Sequence, residues 1–120
     1  MKGSHHCQAI IIHCIDFRFQ DHLTDWTKNL KGGFDRLSIA GAVKDLPYVI
    51  SQIDISYRLH HVKEVYLINH EDCGAYGIEG TFKKHKEDLI RAKKAIKDKY
   101  PELSVFLLYL KLDGSFLKVD

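Results

Sequence analysis

Two rhythms of hydrophobic positions run along this chain. Four stretches are short, apolar and rich in β-branched residues: 8–13 (Gln-Ala-Ile-Ile-Ile-His), 34–40, 62–69 with its run Val65-Tyr66-Leu67-Ile68, and 104–112. Runs of this kind suit strands buried on both faces. Between them the apolar positions recur at helical spacing. Leu23, Trp26, Thr27 and Leu30 form a stripe on a helix over 20–30, which Lys31-Gly32-Gly33 ends. Val49, Ile50, Ile53, Tyr57 and His60 line a second helix, with Pro47 at its start. Phe82, Leu89, Ile96 and Tyr100 line one side of a long third helix, and Pro101 follows its end. Asp113-Gly114 makes a tight turn, and 116–119 folds back as an antiparallel edge strand. The order β-α-β-α-β-α-β-β predicts an α/β fold. Its sheet is mainly parallel and four-stranded, in the order 2-1-3-4, with a C-terminal antiparallel edge strand and helices on both faces.

Composition narrows this picture without changing it. At 120 residues, 45% hydrophobic and 28% charged, the chain reads as one domain over 1–120, with residues 1–7 as a tail given no function. The net charge of +2 does not point to nucleic acid. Lys83 to Lys99 holds eight basic and three acidic residues, a local +5. It lacks the interleaved aromatics of a nucleic-acid platform and reads as a solvated helix face, so no nucleic-acid partner is expected. No apolar run approaches the ~20 residues of a membrane span. The N-terminus lacks the apolar core of a signal peptide, so the expected location is cytoplasmic. In that reducing compartment Cys7, Cys14 and Cys73 are expected as thiols or metal ligands rather than disulfides.

Two segments carry the chemistry. The first strand exits into Cys14-Ile15-Asp16-Phe17-Arg18, and the third into His70-Glu71-Asp72-Cys73-Gly74. Open parallel sheets bind ligands beyond the carboxyl ends of their strands, where the strand order reverses. Strands one and three flank that point. The topology therefore brings Cys14, His70 and Cys73 together from two loops. Two thiolates and one imidazole suit zinc and leave a fourth position open, as in a catalytic site.

Cys-x-Asp-x-Arg after the first strand, with His-x-x-Cys-Gly after a later one, resembles the β-class carbonic anhydrases. The resemblance covers nearly the whole chain from about Gln8. It implies that Cys14, His70 and Cys73 ligate Zn²⁺, that Asp16 and Arg18 form a catalytic dyad, and that Gly74-Ala75 continues the family's run. It also implies a zinc lyase that interconverts CO₂ and bicarbonate, working as a homodimer or higher homo-oligomer. Three features depart from the family. Phe17 stands where a small residue is usual, Ser38-Ile39-Ala40-Gly41-Ala42 stands where the family has Arg-Asn-Ala-Gly-Asn and so lacks some of its polar groups, and the family's partner-clasping N-terminal arm has no counterpart.

In this reading zinc brings the pKa of water down to about 7. Two thiolates make the metal a weaker acid than imidazoles would. Asp16 compensates by accepting the hydrogen bond of the hydroxide and aiming its lone pair, and Arg18 keeps Asp16 ionised and in place. His13 or His22 is a candidate to pass the proton to solvent. The same site suits COS or CS₂ hydrolysis, and a third reading is a zinc-binding module without turnover. Asp72 reads equally as a helix cap or a hydrogen-bond acceptor behind the site. Cys7 reads as a free thiol and His13 as a core or interface histidine. His60-His61 lack the i, i+4 spacing of paired helical ligands.

Overall fold

The computed structural model describes residues 5–120; the tail expected over 1–7 lies in part outside the described residues. Its elements run β1 (Ala9–His13), a 3-10 turn (Phe17–Phe19), α1 (Gln20–Thr27), β2 (Phe34–Ser38), a second 3-10 turn (Ala42–Lys44), α2 (Leu46–His60), β3 (Glu64–His70), a third 3-10 turn (Gly77–Glu79), α3 (Phe82–Lys99), β4 (Ser104–Leu110) and β5 (Phe116–Lys118). The sheet order is β2-β1-β3-β4-β5, parallel except for the β4–β5 pair, as the sequence pattern predicts. No described helix is long and apolar enough to cross a membrane.

The β-branched runs form buried strands because both their faces are covered. Ile10 and Ile12 point into a core built with Val49 and Ile53 of α2 and Leu89, Ala92 and Ile96 of α3. Ile11, between them, points to the other face and packs with Phe19, Leu23, Ile68 and Leu110. Each such side chain, fully buried, contributes about 1.5–3 kcal/mol. Capping fixes the helix starts. The Asp45 carboxylate accepts from the Tyr48 N–H at α2, and the Thr81 side chain accepts from the Lys84 N–H at α3.

Two expectations need correction. The first helix stops at Thr27, short of Leu30, and the chain continues in tight turns in which the N–H groups of Lys28, Asn29 and Leu30 donate three residues back. Leu30 still packs against the core by this route. In α3, Phe82 does not line the core: it is 42% exposed and sits edge-on to Tyr109, whereas His85, one turn later, is buried. The basic face of α3 is laced by i, i+4 pairs, Lys84–Asp88 at 3.2 Å and Lys94–Asp98 at 2.9 Å.

Candidate metal centre

The parallel register sets the site. His13 of β1 lies beside Ile68 of β3, so the chain leaving β1 at Cys14 emerges next to the end of β3 at His70. The loop after His70 turns sharply at Asp72, whose φ of 58° is left-handed, and returns Cys73 toward Cys14. Cys14, Cys73 and His70 are all buried, and one donor atom from each lies within 4.8 Å of the others. The sequence pattern expected these three residues together.

The donors fit a metal ion. Cys14 Sγ and Cys73 Sγ are 4.0 Å apart. Two sulfurs at tetrahedral zinc, each ~2.3 Å from the ion, stand about 3.8 Å apart. His70 Nδ1 meets the Glu71 carbonyl at 2.7 Å. That bond puts the ring proton on Nδ1 and leaves Nε2 as a bare acceptor. Nε2 is buried and has no hydrogen-bond partner among the described residues. An orphaned imidazole nitrogen facing two thiols is the arrangement that a cation completes. The two thiols cannot both ionise easily without one. The Cys73 thiol beside Cys14 favours a Cys14 thiolate, with the Gly41 N–H adding support, and that charge in turn holds Cys73 protonated.

Asp16 and Arg18 stand beside this set. The Asp16 carboxylate takes hydrogen bonds from Arg18 Nε (3.1 and 3.2 Å) and from its NH2 nitrogen (2.7 Å). These bonds hold its pKa down at about 2. Its Oδ2 is 3.9 Å from His70 Nε2. The same guanidinium donates to the Asp72 carboxylate at 3.0 Å and to the Asp72 carbonyl at 2.8 Å. Of the two readings of Asp72, cap and acceptor, the structure shows the acceptor: it receives the far side of Arg18. An open depression over the cluster is walled by Ile15, Phe17, Ala40 and Ala75, with Ile15 59% and Phe17 86% exposed.

Three supports escaped the sequence reading. Gly41, at φ 79°, aims its N–H at Cys14 Sγ from 3.4 Å. The retained Ala40-Gly41 pair was the one signal for it. Lys44 Nζ donates to the Ala75 carbonyl at 2.6 Å and fixes the loop after Cys73. Behind that loop Tyr76 packs against both cysteines and donates to Asp88 at 2.9 Å, while the Asn69 amide meets His85 Nδ1 at 2.9 Å. Burial, and then the nearby His70, lower the His85 pKa to about 4. His13 is buried with both ring nitrogens engaged, Nδ1 with the Cys14 carbonyl and Nε2 as acceptor from Arg36 Nε.

A family profile described as "Putative carbonic anhydrase" matches residues 4–120. The chain belongs to this β-carbonic-anhydrase-like family. It is 30% identical over 135 residues to an uncharacterized protein of Rickettsia bellii, covering 95% of this chain and 82% of the relative. Among solved structures it resembles the carbonic anhydrase of Streptococcus mutans, with a TM-score of 0.73 at 18% identity over 98% of this chain and 84% of that one. A carbon disulfide hydrolase in its apo form matches at TM-score 0.68 and 11% identity, over 98% and 80% of the two chains. A structure described as one of two tetrameric β-carbonic anhydrases from Sordaria macrospora matches at 0.60 and 14%, over 97% and 82%. The carbonic anhydrase-like fold is thus common to the whole described chain.

Proposed function

We propose that this protein is a zinc-dependent carbonate dehydratase, a lyase for the reversible hydration of CO₂ to bicarbonate. The observation that carries the reading is the unpartnered His70 Nε2 converging with two thiols beside an arginine-held carboxylate. Cys14, His70 and Cys73 hold the metal, and zinc there supplies a Lewis acid that makes hydroxide available near neutral pH.

The chain's own residues do the rest. Asp16 accepts a hydrogen bond from the attacking oxygen and turns its lone pair toward the substrate carbon. Arg18 keeps that carboxylate ionised and fixes its plane through two parallel bonds, Nε to Oδ1 and Nη2 to Oδ2. Asp72 fixes Arg18 from the opposite side. The apolar wall of Ile15, Phe17 and Ala40 suits a small uncharged substrate. The product proton leaves without His13, because neither of its ring nitrogens is free to relay it.

Ile15 and Phe17 leave apolar surface beside the site, and the 99%-exposed Ile78 adds more on the 3-10 turn that follows Cys73. A second copy of the chain that covers it would wall off the depression, consistent with a homo-oligomer.

One observation favours a second substrate class on the same site. Phe17 makes the mouth more apolar than a small residue would, and that suits COS or CS₂. Stopped-flow CO₂ hydration run in parallel with sulfide release, on protein of measured zinc content, tests both readings. Rapid CO₂ hydration without sulfide supports the first, and sulfide release without CO₂ hydration replaces it with the second. Zinc-loaded protein with neither activity would leave a non-catalytic zinc module.

A further inference from the structure

The opposite end of the strands holds a second convergence of side chains of metal-binding type. Cys7, Asp35 and His60 come from three separate pieces of chain: the segment leading into β1, the second residue of β2 and the last residue of α2. One donor atom from each lies within 4.8 Å of the others, and all three are half-buried. None of them belongs to the site described above. Cys7 precedes β1 and Cys14 follows it, so the two clusters lie about 23 Å apart along one extended strand.

We propose that Cys7, Asp35 and His60 form a second metal site, for a zinc-like divalent transition-metal ion. A thiolate, a carboxylate and an imidazole are the three ligand types that such an ion accepts together.

Each donor is held before any ion arrives. The Cys7 N–H donates to the His60 carbonyl at 3.0 Å, which ties the start of β1 to the end of α2. Asp35 is fixed opposite Ile10 by the β1–β2 register. Its Oδ2 accepts from the Ser56 hydroxyl at 2.6 Å and meets His60 Nδ1 at 2.6 Å. A simple carboxylate–histidine pair would explain the last contact alone. It does not explain the thiol brought within 4.8 Å of the same two donors. For an ion to enter, the His60–Asp35 contact opens to about 3.3 Å, the separation of two tetrahedral ligands each ~2.0 Å away. Ligation replaces the Cys7 S–H bond with a sulfur–metal bond and releases the proton to solvent, and no electron changes hands. The helical spacing of His60-His61 concealed this site, because its other donors lie on different elements.

The test counts metal. The full chain is stripped with a chelator, reloaded with excess Zn²⁺, desalted, and assayed for zinc beside Cys7→Ser and His60→Gln. Each variant is expected to carry one equivalent less than the parent, with an unchanged circular dichroism spectrum. Equal zinc content in the parent and either variant overturns the proposal. The readout is a difference, so it is independent of the site at Cys14, His70 and Cys73: two equivalents against one if that site loads, one against none if it does not. A cobalt titration of Cys14→Ser/Cys73→Ser adds a spectroscopic check. Cys7 is then the only thiol, and a sulfur-to-cobalt charge-transfer band is expected. A folded double variant without that band also overturns the site, and if the double variant does not fold, the zinc count decides.

Discussion

Arg18 reaches across 54 positions of sequence to place one nitrogen 3.0 Å from the Asp72 carboxylate and another 2.8 Å from the Asp72 carbonyl. This contact latches the loop after β1 to the loop after β3. It joins the two motifs proposed to carry the chemistry, and it does so through the residue that also orients Asp16. Arg18 is thus both the clamp between the loops and the support of the carboxylate.

Removing either member of the Asp16–Arg18 pair should slow catalysis without releasing metal. Arg18→Ala frees Asp16 to turn toward the cluster 3.9 Å away, and Asp16→Ala removes the acceptor that aims the nucleophile. By analogy with deletion of one oriented hydrogen bond at a reacting centre, each should cost about 10²–10³ in rate. Zinc content measured beside CO₂ hydration checks this. Parental activity in Asp16→Ala would reduce that residue to a cap on the 3-10 turn, where it already accepts the Arg18 N–H.

The ligand variants should behave in the opposite way. Cys14→Ser, His70→Ala and Cys73→Ser are each expected to lose the metal of this centre and to lower the thermal midpoint, because binding free energy adds to folding free energy. Elemental analysis in the Cys7→Ser background, where the second cluster contributes nothing, gives the clean reading. Variants as zinc-replete as that background would refute the assignment.

Acid should destabilise the fold through His85. Its native pKa of about 4 lies below the ordinary 6.5 because burial, and then the nearby His70, disfavour the charged ring. Between these values the unfolded chain binds a proton that the folded chain does not, so stability falls as pH drops from 6.5 toward 4 and is unaffected above 6.5. The contribution of His85 to this loss is about 2 kcal/mol at pH 5. Urea unfolding at pH 7 and pH 5 should show a difference that is smaller by about that amount in His85→Gln. An unchanged difference would mean that His85 is not held neutral.

Gly41→Ala should strain the centre from its backbone side. A Cβ there would stand 3.0 Å from Lys44 Cβ and 3.2 Å from Ala75 Cβ, at a φ of 79° that side chains rarely adopt. A cost of roughly 1–2 kcal/mol is expected, together with weaker zinc retention as the Gly41 N–H shifts from Cys14 Sγ. Denaturant midpoints and zinc competition with a chelator measure the two effects.

Self-association is the remaining expectation. Phe17→Asp and Ile78→Asp place charges on apolar surface that the fold itself does not bury. Both variants should stay folded and run smaller than the parent by light scattering at micromolar concentration. A parent that is already monomeric and fully active would remove the partner's role.

The strands and their order were legible because runs such as Ile10-Ile11-Ile12 admit little except burial on both faces, and a β-α-β order admits few topologies. The three donors followed from that topology, since Cys14 and His70 stand at adjacent strand ends. What the chain did not disclose depends on side chains meeting across elements. Helical spacing allows either Phe82 or His85 to face the sheet, and hydrophobicity alone selects the wrong one. Phe82 occupies the first turn, beside Tyr109 near the rim, while His85 finds Asn69 as a polar partner inside. The sequence could not choose between cap and acceptor for Asp72 because its partner, Arg18, lies in another loop. Asp35 lies within an ordinary strand, and nothing local marks it as the meeting point of Cys7 and His60.

The two faces of the sheet are covered unequally. α2 and α3 shield one face over eighteen buried residues, whereas α1 and its preceding turn cover the other with a cluster of six. The thinner side should exchange its amide hydrogens sooner. Phe19 and Leu23 belong to that side, and Asp16 and Arg18 lie on the turn that leads into it. Cys14 and Cys73 pack with Tyr76, whose hydroxyl reaches Asp88 on α3. The centre therefore straddles a mechanical boundary. A brief opening of the thin side would carry the carboxylate and its guanidinium away while the sulfurs stay put, so the residues proposed to steer substrate would part from the centre before the sulfurs proposed to hold the ion.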